Sequence, residues 1–277
     1  MKNPRIFLIG RGHLGTFLKE RLKIPDDLFY IGELAELDVG KFSPDVVVNT
    51  AGKTDLGWCE NNALETFRCN VTEPIRIWRD TKKLKDVLFI NLSSGCIWDG
   101  PFDISNKPFE PMSPPNPACF YAWTKATCDS FLLQECMHHL LYILRPRQVY
   151  SPLVKNRNTI MKLRSYNKLI DTPNSMTSAE TIAKTISLAS ENPNLFRDGR
   201  VSNVYDIGVT SPYKVGCILA KANLRSEPIL MTKDELDVTL KPKRVDVVVH
   251  DEWFEKFVNP PMVDDEIYRV AHIMSDF

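Results

Sequence analysis

The sequence predicts an α/β protein: a doubly wound parallel sheet with a smaller C-terminal lobe. Three observations carry that expectation. Short apolar runs alternate with stretches of a dozen or more residues at helical spacing, and parallel strands need such crossovers. The first apolar run ends in a glycine-rich turn. A length of 277 residues suffices for one large domain, or a main domain with a lobe.

Ile6-Phe-Leu-Ile9 is the first strand, and Leu14, Phe17, Leu18 and Leu22 follow at helical spacing. Leu28 to Ile31 and Val46 to Val48 are short strands, the second leaving through Asn49-Thr-Ala-Gly52. The pattern predicts a helix from Glu60 to about Lys83, a strand over Val87–Leu92, a helix from Tyr121 to about His139, and a strand over Leu141–Leu144. Prolines from Pro101 to Pro117 mark a long loop. A helix from about Ala179 to Ala189 and a strand near Val204 to Ile207 return to the sheet. Residues 1–150 with about 177–209 thus form the expected Rossmann-like dinucleotide-binding domain. About 151–176 with 210–277 form the smaller substrate-binding lobe. Ligands of such sheets sit at the carboxyl ends of the strands, which directs attention to the loops past Ile9, Val48, Leu92 and Leu144.

Thirty-five Lys and Arg balance 35 Asp and Glu. That neutrality argues against nucleic acid or a membrane surface as partner, since both call for an excess of basic residues. The N-terminal apolar run is too short for a signal-peptide core, and no stretch approaches the length of a membrane span. Seven cysteines, odd in number and without CxxC pairs, indicate a reduced, cytoplasmic chain with no metal site.

Gly10-Arg11-Gly12-His13-Leu14-Gly15 spells GxGxxG between the first strand and the first helix. Glycines there let the backbone turn tightly and approach a pyrophosphate that the helix N-terminus stabilises. These six residues, with Asn49, Ala51 and Gly52 beyond the third strand and Tyr121 and Lys125 further along the chain, are the expected cofactor-binding set. Arg11 suits the 2′-phosphate of NADP and Glu33 the ribose 2′-hydroxyl of NAD, so NADPH is expected, with NADH as the alternative.

Tyr121-Ala-Trp-Thr-Lys125 sets a phenol and an ammonium four residues apart at a helix start, on one face. A nearby Lys⁺ favours phenolate, so the expectation is a lowered tyrosine pKa and a proton-transfer role. Ser93-Ser94 ends the preceding strand, where a hydroxyl can hold a substrate oxygen beside the phenol.

A glycine turn, a strand-end serine and a later YxxxK together resemble the extended short-chain dehydrogenase/reductase superfamily, as does Leu144-Arg-Pro-Arg-Gln-Val-Tyr-Ser-Pro152. Within it, Asn49–Asp55, Trp58-Cys-Glu60, Ser94-Gly-Cys-Ile-Trp98, Tyr121–Lys125 and Lys168-Leu-Ile-Asp-Thr-Pro-Asn-Ser-Met-Thr177 resemble the plant-type nucleotide-rhamnose synthases. Those are bifunctional 3,5-epimerase/4-reductases. The turn is one residue tighter than that superfamily's usual GxxGxxG. The resemblance implies conversion of a UDP- or dTDP-linked 4-keto-6-deoxyglucose to the L-rhamnose nucleotide, with catalytic Ser94, Cys96, Tyr121, Lys125 and Lys162. Cys96 and Lys162 would be the base and acid of epimerisation. A thiol is chemically suited to the first role.

Arg157, Asn158 and Asn174 are candidate substrate contacts beside Ser94, and a looser C-terminal resemblance adds Arg244 for the diphosphate. Two other readings stay open: a 4-ketoreductase like the dTDP-4-dehydrorhamnose reductases, and a non-catalytic NADP-binding regulatory subunit. The helices near 60–83 and 121–139 are those the superfamily often pairs across a homodimer.

Overall fold

Apolar runs become buried strands, and polar or glycine-bearing stretches become the loops between them. A computed structural model describes residues 3–153, 157–239 and 244–275. In chain order the elements open with β1 (Ile6–Ile9), α1 (His13–Arg21), β2 (Phe29–Tyr30), β3 (Val46–Asn49), α2 (Leu56–Asn61), α3 (Ala63–Phe67) and α4 (Glu73–Lys82). Next come β4 (Leu88–Leu92), α5 (Phe120–Gln134), β5 (Leu140–Pro146), β6 (Val149–Tyr150), α6 (Thr159–Ser165), β7 (Lys168–Ile170), β8 (Thr177–Ser178) and α7 (Ala179–Glu191). The chain finishes with β9 (Arg200–Val204), α8 (Pro212–Lys221), β10 (Ile229–Met231), α9 (Lys233–Thr239), α10 (Glu252–Val258) and α11 (Val263–Ser275).

Six strands form one sheet in the order β2-β1-β3-β4-β5-β9, every neighbouring pair parallel. Every residue of β3, β4 and β5 is buried, as a sheet covered by helices on both faces requires. The chain steps from β1 out to β2 and returns to β3 on the other side of β1. That reversal opens a crevice at the carboxyl ends, where open α/β sheets bind ligands. Gly10, Thr50 and Ser93 lie just past β1, β3 and β4 at this edge.

Two expected elements differ. The single helix from Glu60 to Lys83 starts earlier and breaks twice, at Asn62 and at a π turn over Arg68–Thr72. Pro74, in the first turn of α4, has no N–H for the residue 70 carbonyl, and the turn before it widens. The π turn delivers Asn70 inward, where its Oδ1 accepts from Lys53 N at 2.8 Å and its Nδ2 donates to the Lys53 carbonyl at 3.0 Å. The loop after β3 is thereby fixed. The returning strand lies at Arg200–Val204 rather than 204–207, because Asp206 N and Ile207 N donate to the carbonyls of Met176 and Pro261 instead of continuing the ladder.

A large apolar core surrounds the sheet, and a second core gathers Tyr150, Ile160, Leu163, Met176, Val215 and Ile267 with their neighbours. Most of the second core comes from the segments expected in the smaller lobe. Residues 245–258 are the exception: Val245, Val247, Val249, Phe254 and Val258 pack into the first core.

Asp129 of α5 and Arg145 of β5 form an ion pair at 2.8 Å with both side chains almost wholly buried. Asp129 also accepts from Ser93 Oγ at 2.8 Å, while Arg145 donates to the Pro111 carbonyl at 2.7 Å and lies over the Trp98 ring. These contacts lock α5 to the end of β4. Replacing one partner strands the other charge in the core, so Asp129→Ala is expected to cost about 3–5 kcal/mol. Urea unfolding checks this, and a loss under about 1 kcal/mol would contradict it.

Candidate active site

A cleft of about 760 Å³ runs from the glycine turn, past the ends of β4 and β5, to α6 and the segment before residue 246. Gly12, His13, Leu14, Gly15, Ala51 and Gly52 line its first part, and Ser94, Cys96, Tyr121 and Lys125 its middle. Arg157, Lys162 and Arg244 line the far part, with Tyr166 and Met231. Residues expected to bind the cofactor and residues expected to bind the substrate therefore line one cavity.

The glycines of the turn do different things. Gly10 has φ +118°, and a Cβ on it would stand 2.5 Å from Thr50 Oγ1. On Gly15 a Cβ would meet the Gly10 carbonyl oxygen at 1.9 Å, so these two allow α1 to sit against the end of β1. A Cβ on Gly12 would meet no atom within 4 Å. It begins α1, whose N-terminus has no side-chain cap and no acidic residue in its first turn. An uncapped helix start with a bare backbone facing the cavity suits a pyrophosphate. Arg11 is exposed, as is Glu33, and neither is among the cavity-lining residues. Asn49 does not reach the cavity either; it is buried, donating to Asn91 Oδ1 at 2.9 Å and accepting from Ala51 N at 3.2 Å. It shapes the loop that Ala51 and Gly52 present.

Past β4, Ser94 Oγ accepts from Cys96 N at 3.0 Å and caps the short turn Gly95–Ile97. Tyr121 is buried at the start of α5. Burial is the main influence on its phenol and, with Cys96 next, raises its pKa above the ordinary tyrosine value; the hydrogen bond with Ser94 opposes that only in part. The expectation that Lys125 lowers the tyrosine pKa is corrected. Lys125 is itself buried, its Nζ donating to the Leu92 carbonyl at 2.8 Å, and burial pushes its pKa below the usual lysine value. Burial thus favours the protonated form of the Tyr121 phenol.

Cys96 is half-buried and accepts a hydrogen bond from Arg147 Nη1 at 3.0 Å. Arg147 was not singled out from the sequence; its place one residue past β5, at a strand's carboxyl end, was the available signal. On the far side, Lys162 is open to the cleft, yet the protein around it and the positive charges of Arg244 and Arg157 lower its pKa.

Asn158 and Asn174 do not face the cleft. Asn158 caps α6, accepting from Ile160 N at 3.3 Å and donating to the Ser151 and Leu153 carbonyls at 2.6 and 2.8 Å. Asn174 accepts from Arg147 Nη2 at 2.8 Å and Val247 N at 3.0 Å and donates to Asp246 at 2.7 Å. Both are completely buried, with their polar atoms used inside the protein. In this structure they build the walls from behind.

The parallel six-stranded sheet with helices on both faces defines a Rossmann-like α/β fold. The chain belongs to the family of the RmlD substrate binding domain, whose model matches residues 32–229. A curated relative from Arabidopsis thaliana, a bifunctional dTDP-4-dehydrorhamnose 3,5-epimerase/dTDP-4-dehydrorhamnose reductase, is 33% identical over 167 residues, 56% of this chain and 53% of that protein. The chain spans about half or less of the length of the curated relatives it matches, 24% in the case of a trifunctional plant enzyme. Among solved structures, the UDP-rhamnose synthase of Acanthamoeba polyphaga mimivirus superposes with a TM-score of 0.85 at 18% identity, covering 97% of this chain and 99% of that one. RMD from Pseudomonas aeruginosa, solved with NADPH, gives 0.75 at 15% identity over 99% and 98%.

Proposed function

We propose that this protein is an NADPH-dependent 3,5-epimerase/4-reductase that converts a UDP- or dTDP-linked 4-keto-6-deoxyglucose to the L-rhamnose nucleotide. One observation carries the reading: Cys96 and Lys162 line the same cavity as Ser94, Tyr121 and Lys125. A reductase alone needs only the last three. The plant relative named for both activities supports the same assignment.

Gly12 with the start of α1, His13, Ala51 and Gly52 would hold the dinucleotide, and Lys125 its nicotinamide ribose. When bound, that cofactor supplies the hydride taken up at C4. The residues of the chain handle protons and oxygen charge. The C4 ketone acidifies the C–H bonds at C3 and C5; Cys96, as thiolate, takes a proton from one of them, and the electron pair moves onto the C4 oxygen. Tyr121 O–H and Ser94 O–H donate to that oxygen and stabilise its charge. Lys162, as ammonium, returns a proton to the opposite face, and its lowered pKa brings that donation nearer neutrality. Exchange with solvent then returns Cys96 to thiolate and Lys162 to ammonium, and the second centre inverts in the same way; Tyr121 finally gives its phenolic proton to the C4 oxygen as the ketone becomes an alcohol. Arg157 and Arg244 would meet the diphosphate.

Incubation of the protein with NADPH and either 4-keto nucleotide in deuterated water tests this. The expected product is a rhamnose nucleotide carrying deuterium at C3 and C5 by NMR. NADPH consumed without deuterium uptake, and only with pre-epimerised sugar, would leave a 4-ketoreductase; no consumption with any of them would leave a binding subunit. The reading includes a cytoplasmic homodimer paired through α4 and α5, consistent with Trp123 and Phe131 standing exposed on α5.

Gly12→Ala separates fold from cofactor. Its methyl meets nothing within the protein but enters the space assigned to the pyrophosphate. The variant is expected to melt within a degree or two of wild type while its NADPH Kd rises about tenfold or more, a cost of about 1.4 kcal/mol. Fluorescence titration reads it; an unchanged Kd would remove Gly12 from the cofactor site.

A further inference from the structure

Arg147 is buried, with 3% of its surface exposed, and its stem packs at 3.5 Å from where a Cβ on Gly95 would stand, in the turn that carries Cys96. Nη1 donates to Cys96 Sγ at 3.0 Å; Nη2 donates to Asn174 Oδ1 at 2.8 Å and to the Val245 carbonyl. Its Nε finds no acceptor. Among the described residues no carboxylate lies within ion-pair distance of this guanidinium. Asp246, which follows Val245 in sequence, is bound instead by Asn174 Nδ2 at 2.7 Å and Lys233 Nζ at 3.1 Å.

A cation buried among neutral acceptors is costly, and the cost falls if a partner becomes an anion. Asn174 and a backbone carbonyl cannot ionise; the Cys96 thiol can. The other titratable groups facing Cys96 are Tyr121 and Cys119, whose pKa values burial raises, with Lys162 on the cavity wall beyond. None of them offers Arg147 a competing negative charge.

We propose that Arg147 is the positioning residue that holds Cys96 as a thiolate aimed into the cleft. This deepens, and rests on, the reading of Cys96 as the base of epimerisation. When the thiolate takes a proton from carbon, an S–H bond forms, the arginine keeps all its protons, and its N–H remains on sulfur throughout. The same contact fixes the direction of the sulfur's lone pairs.

The test is the rate of iodoacetamide alkylation at Cys96, resolved by peptide mass spectrometry from about pH 6 to about pH 9, around the thiol reference value. Arg147→Met is expected to slow alkylation of Cys96 about tenfold at neutral pH, the equivalent of one pH unit, and to displace the rate profile to higher pH. Cys119 and Cys217 should react as before, and Arg147→Lys, which keeps the charge, should restore most of the rate. Superimposable profiles for wild type and Arg147→Met would overturn the proposal. A second measurement needs no arginine variant: the ultraviolet thiolate absorbance of wild type minus Cys96→Ser should already be present at neutral pH, and its appearance only in the free-thiol range would equally overturn it. Deuterium exchange at C3 and C5 separates this proposal from the function. A displaced profile in a protein that exchanges no sugar proton keeps Arg147 and rejects the epimerase; exchange with an unmoved profile does the reverse.

Discussion

Cys96→Ser is expected to abolish deuterium exchange at C3 and C5, by about 100-fold or more, while reduction of the pre-epimerised 4-keto sugar continues within a few-fold of wild type. Serine keeps an acceptor for the Arg147 N–H that now reaches sulfur but is not ionised at neutral pH, so it retains the local packing and loses the base. NMR exchange and NADPH oxidation, run on the same preparation, read the two half-reactions separately. Equal loss of both would mean that the thiol serves the shared oxygen site, and undiminished exchange would remove Cys96 from the chemistry.

Tyr121→Phe should instead damage both halves. The phenyl ring still fills its buried place, so NADPH affinity is expected within about twofold of wild type. Reduction loses its proton donor and should fall by about 10²–10⁴. Exchange loses one of two donors to the enolate oxygen and should fall about 10²-fold. The direction of the tyrosine shift adds a pH signature. Because burial raises the phenol's pKa, the donor form is complete at neutral pH and is lost only as pH rises through a value above that of free tyrosine. Reduction should therefore show no rise across neutrality attributable to deprotonation of Tyr121. A reduction rate that climbs with pH through neutrality would point to phenolate instead.

Much of this was legible in the residues. Runs such as Val46-Val-Val and Leu88-Phe-Ile read as strands because strands buried on both faces must be apolar throughout, and the chemistry sits at their carboxyl ends as parallel sheets dictate. What escaped depends on partners far apart in sequence. Counting four residues from Tyr121 to Lys125 finds the pair, but not that the Leu92 carbonyl takes the ammonium or that desolvation dominates the phenol. Asn158 and Asn174 are polar residues in loops beside a site, which suggests ligands; only their neighbours reveal a helix cap and a buried strut. Arg147 was hidden for the same reason, since it gathers Cys96, Asn174 and Val245 from three distant segments.

That last reach bears on the order in which the molecule matures. The bond from Arg147 to the Val245 carbonyl closes a loop of 98 residues, among the slow, entropically expensive closures of a folding chain. Strands β1 to β5 and helix α5, with Ser94, Tyr121 and Lys125, can assemble from residues up to Pro146. The sulfur's counter-charge acquires its final cage only when the segment at 245–249 lays its backbone against Asn174 and Ser175. On a ribosome, the segments that carry Ser94, Tyr121 and Lys125 would thus be in place before the cage around Arg147 closes, and that closure would be among the last events of folding.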